Sequence, residues 1–156
     1  MEYLEILTRL GIATLAGGAI GLNRELHGKP TGIRTLGIVG LGSALIVIAS
    51  LNFDLAGGPD HNAVSRVVQG VITGVGFLGA GVIFRQTDNN QVHGLTTAAC
   101  IWLTAAIGIV CGVAAWRLLF VGLPLVFLVL ILGGSTEQAI HRWWERLWDR
   151  TDESRS

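Results

Sequence analysis

Charge is scarce in these 156 residues: 14% are Asp, Glu, Lys or Arg, where a soluble domain carries roughly 25%. Eleven basic and eleven acidic residues cancel, which removes the electrostatic footprint of a nucleic-acid binder. Proline occurs only three times, too rarely for a collagen-like repeat or a Pro-rich linker. The two cysteines, Cys100 and Cys111, share one apolar run. They lie about 16 Å apart along a helix, too far to bridge, and read as small core residues rather than a redox pair. Catalytic signatures are missing too: no nucleophile elbow, phosphate loop, metal-ligand pair at helical spacing or Cys-x-x-Cys dithiol. His27 and His93 have no spacing that would make them metal ligands. The sequence therefore predicts no enzyme, no cofactor and no metal centre.

What is abundant is apolar surface and glycine. Hydrophobic residues make up 51% of the chain, mean hydropathy is +0.58, and 22 residues are Gly. A soluble fold of this size cannot bury that much apolar area. About 20 mostly apolar residues span a bilayer core, and five stretches approach that length: Leu4–Leu22, Thr35–Leu51, Val67–Phe84, Leu95–Val113 and Leu118–Leu132. The first opens with Glu2 and Glu5 and ends in Asn23-Arg24-Glu25, unlike a cleavable signal peptide. The expectation is an all-α integral membrane protein, with a five-helix transmembrane domain over 1–133 and a tail over 134–156.

Lys and Arg orient the bundle. Arg24, Lys29 and Arg34 fall between the first two spans, Arg85 between the third and fourth, and Arg142, Arg146, Arg150 and Arg155 in the tail. The other side has Arg9, Arg66 and Arg117. The positive-inside rule then places the N-terminus outside and the C-terminus in the cytoplasm.

The chain also resembles itself. Gly18-Ala19-Ile20-Gly21-Leu22-Asn23-Arg24 leads to Gly32-Ile33-Arg34-Thr35, and Gly79-Ala80-Gly81-Val82-Ile83-Phe84-Arg85 leads to Gly94-Leu95-Thr96-Thr97. Both share a small-residue helix, an arginine, a polar loop and Gly-aliphatic-x-Thr. Two hairpins of equal orientation, a parallel internal repeat, follow. Small-xxx-small pairs recur, such as Gly17 with Gly21, Gly40 with Ala44 and Gly108 with Gly112, and let helix backbones approach. The third span is densest in them, through Gly70, Gly74, Gly76, Gly79 and Gly81. It is expected at the centre of the packing. Such faces suit a homodimer as well as contacts within one chain.

Ionisable residues at mid-membrane mark ion or proton routes, and the span centres have none. Glu5 and Arg9 are one turn apart near the outer mouth and can pair. The candidate functional residues lie elsewhere: Asn23, Arg24, Glu25, Lys29, Arg34 and Thr35 around the first inner loop, Thr96 and Thr97 after the second, and Arg66 before the third span. Two readings stand for the inner cluster. One is positive-inside anchoring with Thr capping each returning helix; the other is a site for an anion, a lipid headgroup or a partner. In the tail, Trp143, Trp144 and Trp148 share one helical arc opposite Arg142, Glu145 and Arg146, predicting an amphipathic helix lying on the bilayer, with docking on a partner protein as the alternative use of that face.

Several segments resemble one family. Ile20-Gly21-Leu22-Asn23-Arg24-Glu25, GKPTGIRTLGIVGLGSAL from Gly28 to Leu45, GVGFLGAGVIF from Gly74 to Phe84 and GLTTAACIWLTAAIG from Gly94 to Gly108 are together similar to the membrane domain of MgtC/SapB proteins. The resemblance implies a bacterial inner-membrane protein tied to adaptation to low magnesium and, in pathogens, to survival inside macrophages. It also implies action on a membrane partner such as the F-type ATP synthase. Alternatives are a small magnesium or solute transporter and a lipid-handling protein. In this chain Asn23 stands where the family commonly has an acidic residue, and the Trp-rich tail stands in place of a soluble C-terminal domain.

The orientation is directly testable: reporter tags on the two ends are expected on opposite faces of the membrane, and tags on the same face would refute it.

Overall fold

The computed structural model describes residues 1–51, 54–55, 58–59, 61–85 and 92–133. Among them are five helices: α1 (Tyr3–Leu26), α2 (Ile33–Leu51), α3 (His61–Gly81), α4 (Leu95–Gly112) and α5 (Trp116–Gly133). Each is long and apolar enough to cross a membrane, as the sequence predicts. Two-residue antiparallel ladders close the remaining turns: β1 (Asp54–Leu55) pairs with β2 (Gly58–Pro59), and β3 (Phe84–Arg85) with β4 (Val92–His93). The tail with Trp143, Trp144 and Trp148 lies outside the described residues.

The chain divides into two units, Met1–Leu119 and Phe120–Ser156. In the second, the described segment is the remainder of α5, with no charged residue between Phe120 and Gly133. The first contains α1 to α4. There α2 packs on α4, and α1 and α3 each pack on both, the neighbour pattern that two related hairpins give. Backbone approach sets the seam of α1, α2 and α4. A Cβ built on Gly17 would lie 2.5 Å from the Leu36 carbonyl oxygen, and one on Gly40 would lie 2.6 Å from that of Ala13. A Cβ on Gly108 would run into the Gly40 carbonyl. Ala13, Ile20, Leu36, Val47 and Thr104 are fully buried around these contacts.

The third span is not where the glycines pack. A Cβ on Gly70, Gly74, Gly76 or Gly81 meets nothing within 4 Å, and one on Gly79 makes only ordinary contact with Ala98. The expectation fails because glycine density records how close a helix face can be approached, not whether a neighbour is there. α1, α2 and α4 have fewer glycines each along the seam, but theirs face one another in register.

The turns at the end where α1 passes to α2, here termed the basic end, need special backbone. Gly28 has φ +63° and Thr31 φ +65°, left-handed values that a non-glycine residue rarely takes. Gly94 has φ +90°, and a Cβ there would collide with the Val82 carbonyl. Its counterpart in the first hairpin is Gly32, whose carbonyl oxygen would be 2.6 Å from a Cβ on Gly21. Both returning chains thus pass tight against the helix they have left, as the repeat suggests.

Overpacking a close seam costs about 1–3 kcal/mol. Gly40→Ala and Gly108→Ala are expected to lower thermal stability in detergent by that order, while Gly74→Ala leaves it unchanged; equal effects at all three sites would refute the seam.

Candidate functional site

α1 runs one turn past its sequence-predicted end at Leu22 and continues to Leu26. That extension puts Asn23, Arg24 and Glu25 on a helix rather than in a loop. At helical pitch the three diverge, and Arg24 turns inward, where it is 5% exposed. Its Nη2 donates to the Thr97 hydroxyl, in the first turn of α4. Its Nε is buried without a partner. The polar clusters of the two hairpins therefore meet through this pair.

A second arginine of α1 reaches the opposite end of the same helix. Arg9, 8% exposed, donates from Nη1 to the Gly112 carbonyl at 2.6 Å, and its Nη2 pairs with the Glu5 carboxylate. Gly112 is the last residue of α4, so this cation sits where the helix dipole is negative and unbonded carbonyls collect. The pairing with Glu5 is the one predicted from their spacing; the bond to Gly112 joins residues 103 apart and has no local signal. Arg9 and Arg24 are separated on α1 by the same interval as Gly112 and Thr97 on α4, about 22 Å at 1.5 Å per residue. The two helices are thereby held antiparallel and in register by one arginine at each end.

The ends differ chemically. At Gly112 the arginine has a carboxylate and a carbonyl. At Thr97 it has a neutral hydroxyl, beside a helix start whose dipole is positive. The cap residue of α4 is Gly94, which has no side chain with which to cap it. Thr96 is exposed and Thr97 is engaged with Arg24, so the expected threonine cap is absent from this helix. The reason is geometric: the close passage at Val82 requires glycine at the cap position. His93, directly before it, stacks on Phe84 with ring centroids 5.6 Å apart, and its Nε2 is buried without a partner.

The other candidates separate from this pair. Glu25 Oε2 accepts the Ile33 amide at 3.3 Å and so serves the start of α2. The Asn23 carbonyl oxygen lies 2.7 Å from His27 Nδ1. Lys29, Arg34 and Thr35 are exposed around the same end. Arg66 falls within α3, which starts at His61, six residues before the predicted Val67, and is exposed. Among the described residues, no group of three His, Cys, Asp or Glu side chains gathers as a metal site. Cys100 and Cys111 are free and buried.

Five membrane-length helices, paired hairpins and charged groups kept near the helix ends define a small multi-pass membrane protein. The sequence model of the MgtC family matches residues 10–139, and the chain belongs to that family. It is 42% identical to Protein SrpB of Synechococcus elongatus over 96% of this chain and 85% of that protein. It is 45% identical to the Escherichia coli protein named "Putative magnesium transporter YhiD" over 81% of this chain and 59% of that protein. It is 38% identical to Protein SapB of Bacillus subtilis, over 80% of this chain and 54% of that protein. The chain thus spans most of SrpB but little more than half of YhiD and SapB. No solved structure matches.

Removing the cation at the carboxyl end of α4 leaves Glu5 and the Gly112 carbonyl without their partner. Arg9→Gln is expected to destabilise the folded chain by about 2 kcal/mol, the order of a hydrogen bond to a charged group; an unchanged unfolding midpoint would show that the bond contributes nothing.

Proposed function

We propose that this chain is a non-enzymatic bacterial inner-membrane protein that adjusts ion homeostasis, and thereby adaptation to low magnesium, by acting on a membrane partner such as the F-type ATP synthase. The observation that carries this reading is the closed seam. α1, α2 and α4 meet glycine to carbonyl at Gly17, Gly40 and Gly108, which leaves no room for a hydrated path between those helices. Magnesium makes a stricter demand, since it is normally held by one or two carboxylates with several waters. α2 to α5 contain no Asp or Glu. In α1, Glu5 pairs with Arg9 and Glu25 holds the Ile33 amide.

What remains for function is surface. Lys29, Arg34 and Thr35 are exposed at the basic end, offering a partner polar contacts at the membrane boundary. In this reading that end faces the cytoplasm, as the distribution of Lys and Arg favours. A magnesium carrier is the second reading, favoured by the name given to YhiD. It would require carboxylates or carbonyls brought together by several chains.

Reconstitution separates the two. Vesicles containing the purified chain are expected to show no magnesium flux above empty vesicles, and the tagged chain to co-purify with ATP synthase subunits from native membranes. Saturable flux without such a partner would overturn the proposal in favour of transport.

A further inference from the structure

We propose that the Arg24 guanidinium and the amino end of α4 form a binding site for a phosphate group, which supplies the negative charge that this end of the helix lacks. The proposal does not depend on whether the chain modulates a partner or carries an ion.

Burial makes the argument. A cation taken out of water needs a counter-charge or a full set of hydrogen bonds. Arg24 is 5% exposed, and among the described residues its partner is the Thr97 hydroxyl. Its Nε has none. Arg9, almost equally buried on the same helix, has the Glu5 carboxylate. The contrast extends to the helix dipole: Arg9 meets the negative end of α4 at Gly112, and Arg24 meets the positive end at Thr97. One contact is electrostatically favourable as it stands. The other sets like charge against like until an anion joins it.

The donors for such an anion are in place. Gly94 at the cap position has no side chain to occupy the first-turn amides of α4. The Arg24 Nε–H is unspent. Thr97 Oγ1 accepts from Arg24, which leaves the hydroxyl proton to donate. His93 Nε2, another buried nitrogen without a partner, immediately precedes the cap. Guanidinium, hydroxyl and helix-start amides together are the donor set that holds phosphate oxygens. Phosphate fits better than a carboxylate because its three or more acceptor oxygens can engage all of these donor types at once. The phosphate can come from a lipid headgroup or from free phosphate, because both present the same acceptor oxygens.

The test uses the purified full chain in detergent. Thermal unfolding is followed against inorganic phosphate, with chloride at matched ionic strength as control, and native mass spectrometry counts anionic phospholipid retained after detergent exchange. Wild type is expected to show saturable stabilisation by phosphate if the source is free, or one retained phospholipid if the source is the bilayer. Arg24→Gln should weaken either response by about tenfold or more, the loss of one charge-assisted contact. Thr97→Val, which keeps the cation, should weaken it by a smaller factor and guards against a folding failure of the first variant. A structural role alone predicts that Arg24→Gln lowers the unfolding temperature equally in phosphate and chloride; that result would overturn the proposal. So would a wild type with neither response.

Discussion

The antiparallel register of α1 and α4 is the constraint on which the rest of the first unit depends. Without water to compete, a buried arginine in a membrane helix is costly unless its donors are used, so each of the two guanidinium groups fixes where α1 meets α4. Arg9 at Gly112 and Arg24 at Thr97 are equivalent steps along both helices, and one register satisfies both. α2 fits into the resulting groove because glycine is present wherever its backbone crosses: Gly17 and Gly21 on α1, Gly40 on α2 itself, and Gly108 and Gly112 on α4. Charge at the ends sets the sliding coordinate, and missing side chains along the seam set the spacing. A shift of one residue would rotate the glycines out of the seam and leave both arginines without their acceptors.

Much of this architecture was legible in the chain. Runs of apolar residues near bilayer length gave the five helices, because a hydrocarbon core imposes a length that hydropathy can count. The returning glycines were legible as well: Gly32 and Gly94 occupy equivalent places in the repeat, and each marks a passage against the preceding helix. The pairing of Glu5 with Arg9 followed from their spacing on one helix. These signals are local, and local chemistry determines them.

What was not legible depended on partners distant in sequence. The glycines of α3 looked like the packing centre, yet a Cβ on most of them meets nothing within 4 Å; their spacing fits a contact face, but spacing does not say what lies opposite. Arg24 stood among polar neighbours and read as part of a loop, whereas the final turn of α1 buries it. Thr97 read as a helix cap and instead accepts from an arginine 73 residues away. The Gly112 carbonyl, as a backbone atom, had no sequence signature at all. In each case the missing information was the helix register, which the tertiary structure supplies.

The same register gives α4 unequal ends, and that inequality has functional content. The helix presents its carboxyl end to a cation already matched by Glu5 and its amino end to a cation matched by no carboxylate among the described residues. A chain selected for stability alone would relieve the second arrangement cheaply, with a capping Asp or Ser at the helix start. The close passage of Gly94 against Val82 forbids that remedy, because any Cβ there collides with a backbone carbonyl. The geometry that brings the two hairpins together is therefore also what leaves the amides uncapped beside a buried guanidinium. An anion arriving at that point would neutralise Arg24, complete the cap of α4 and strengthen the α1–α4 register in one step.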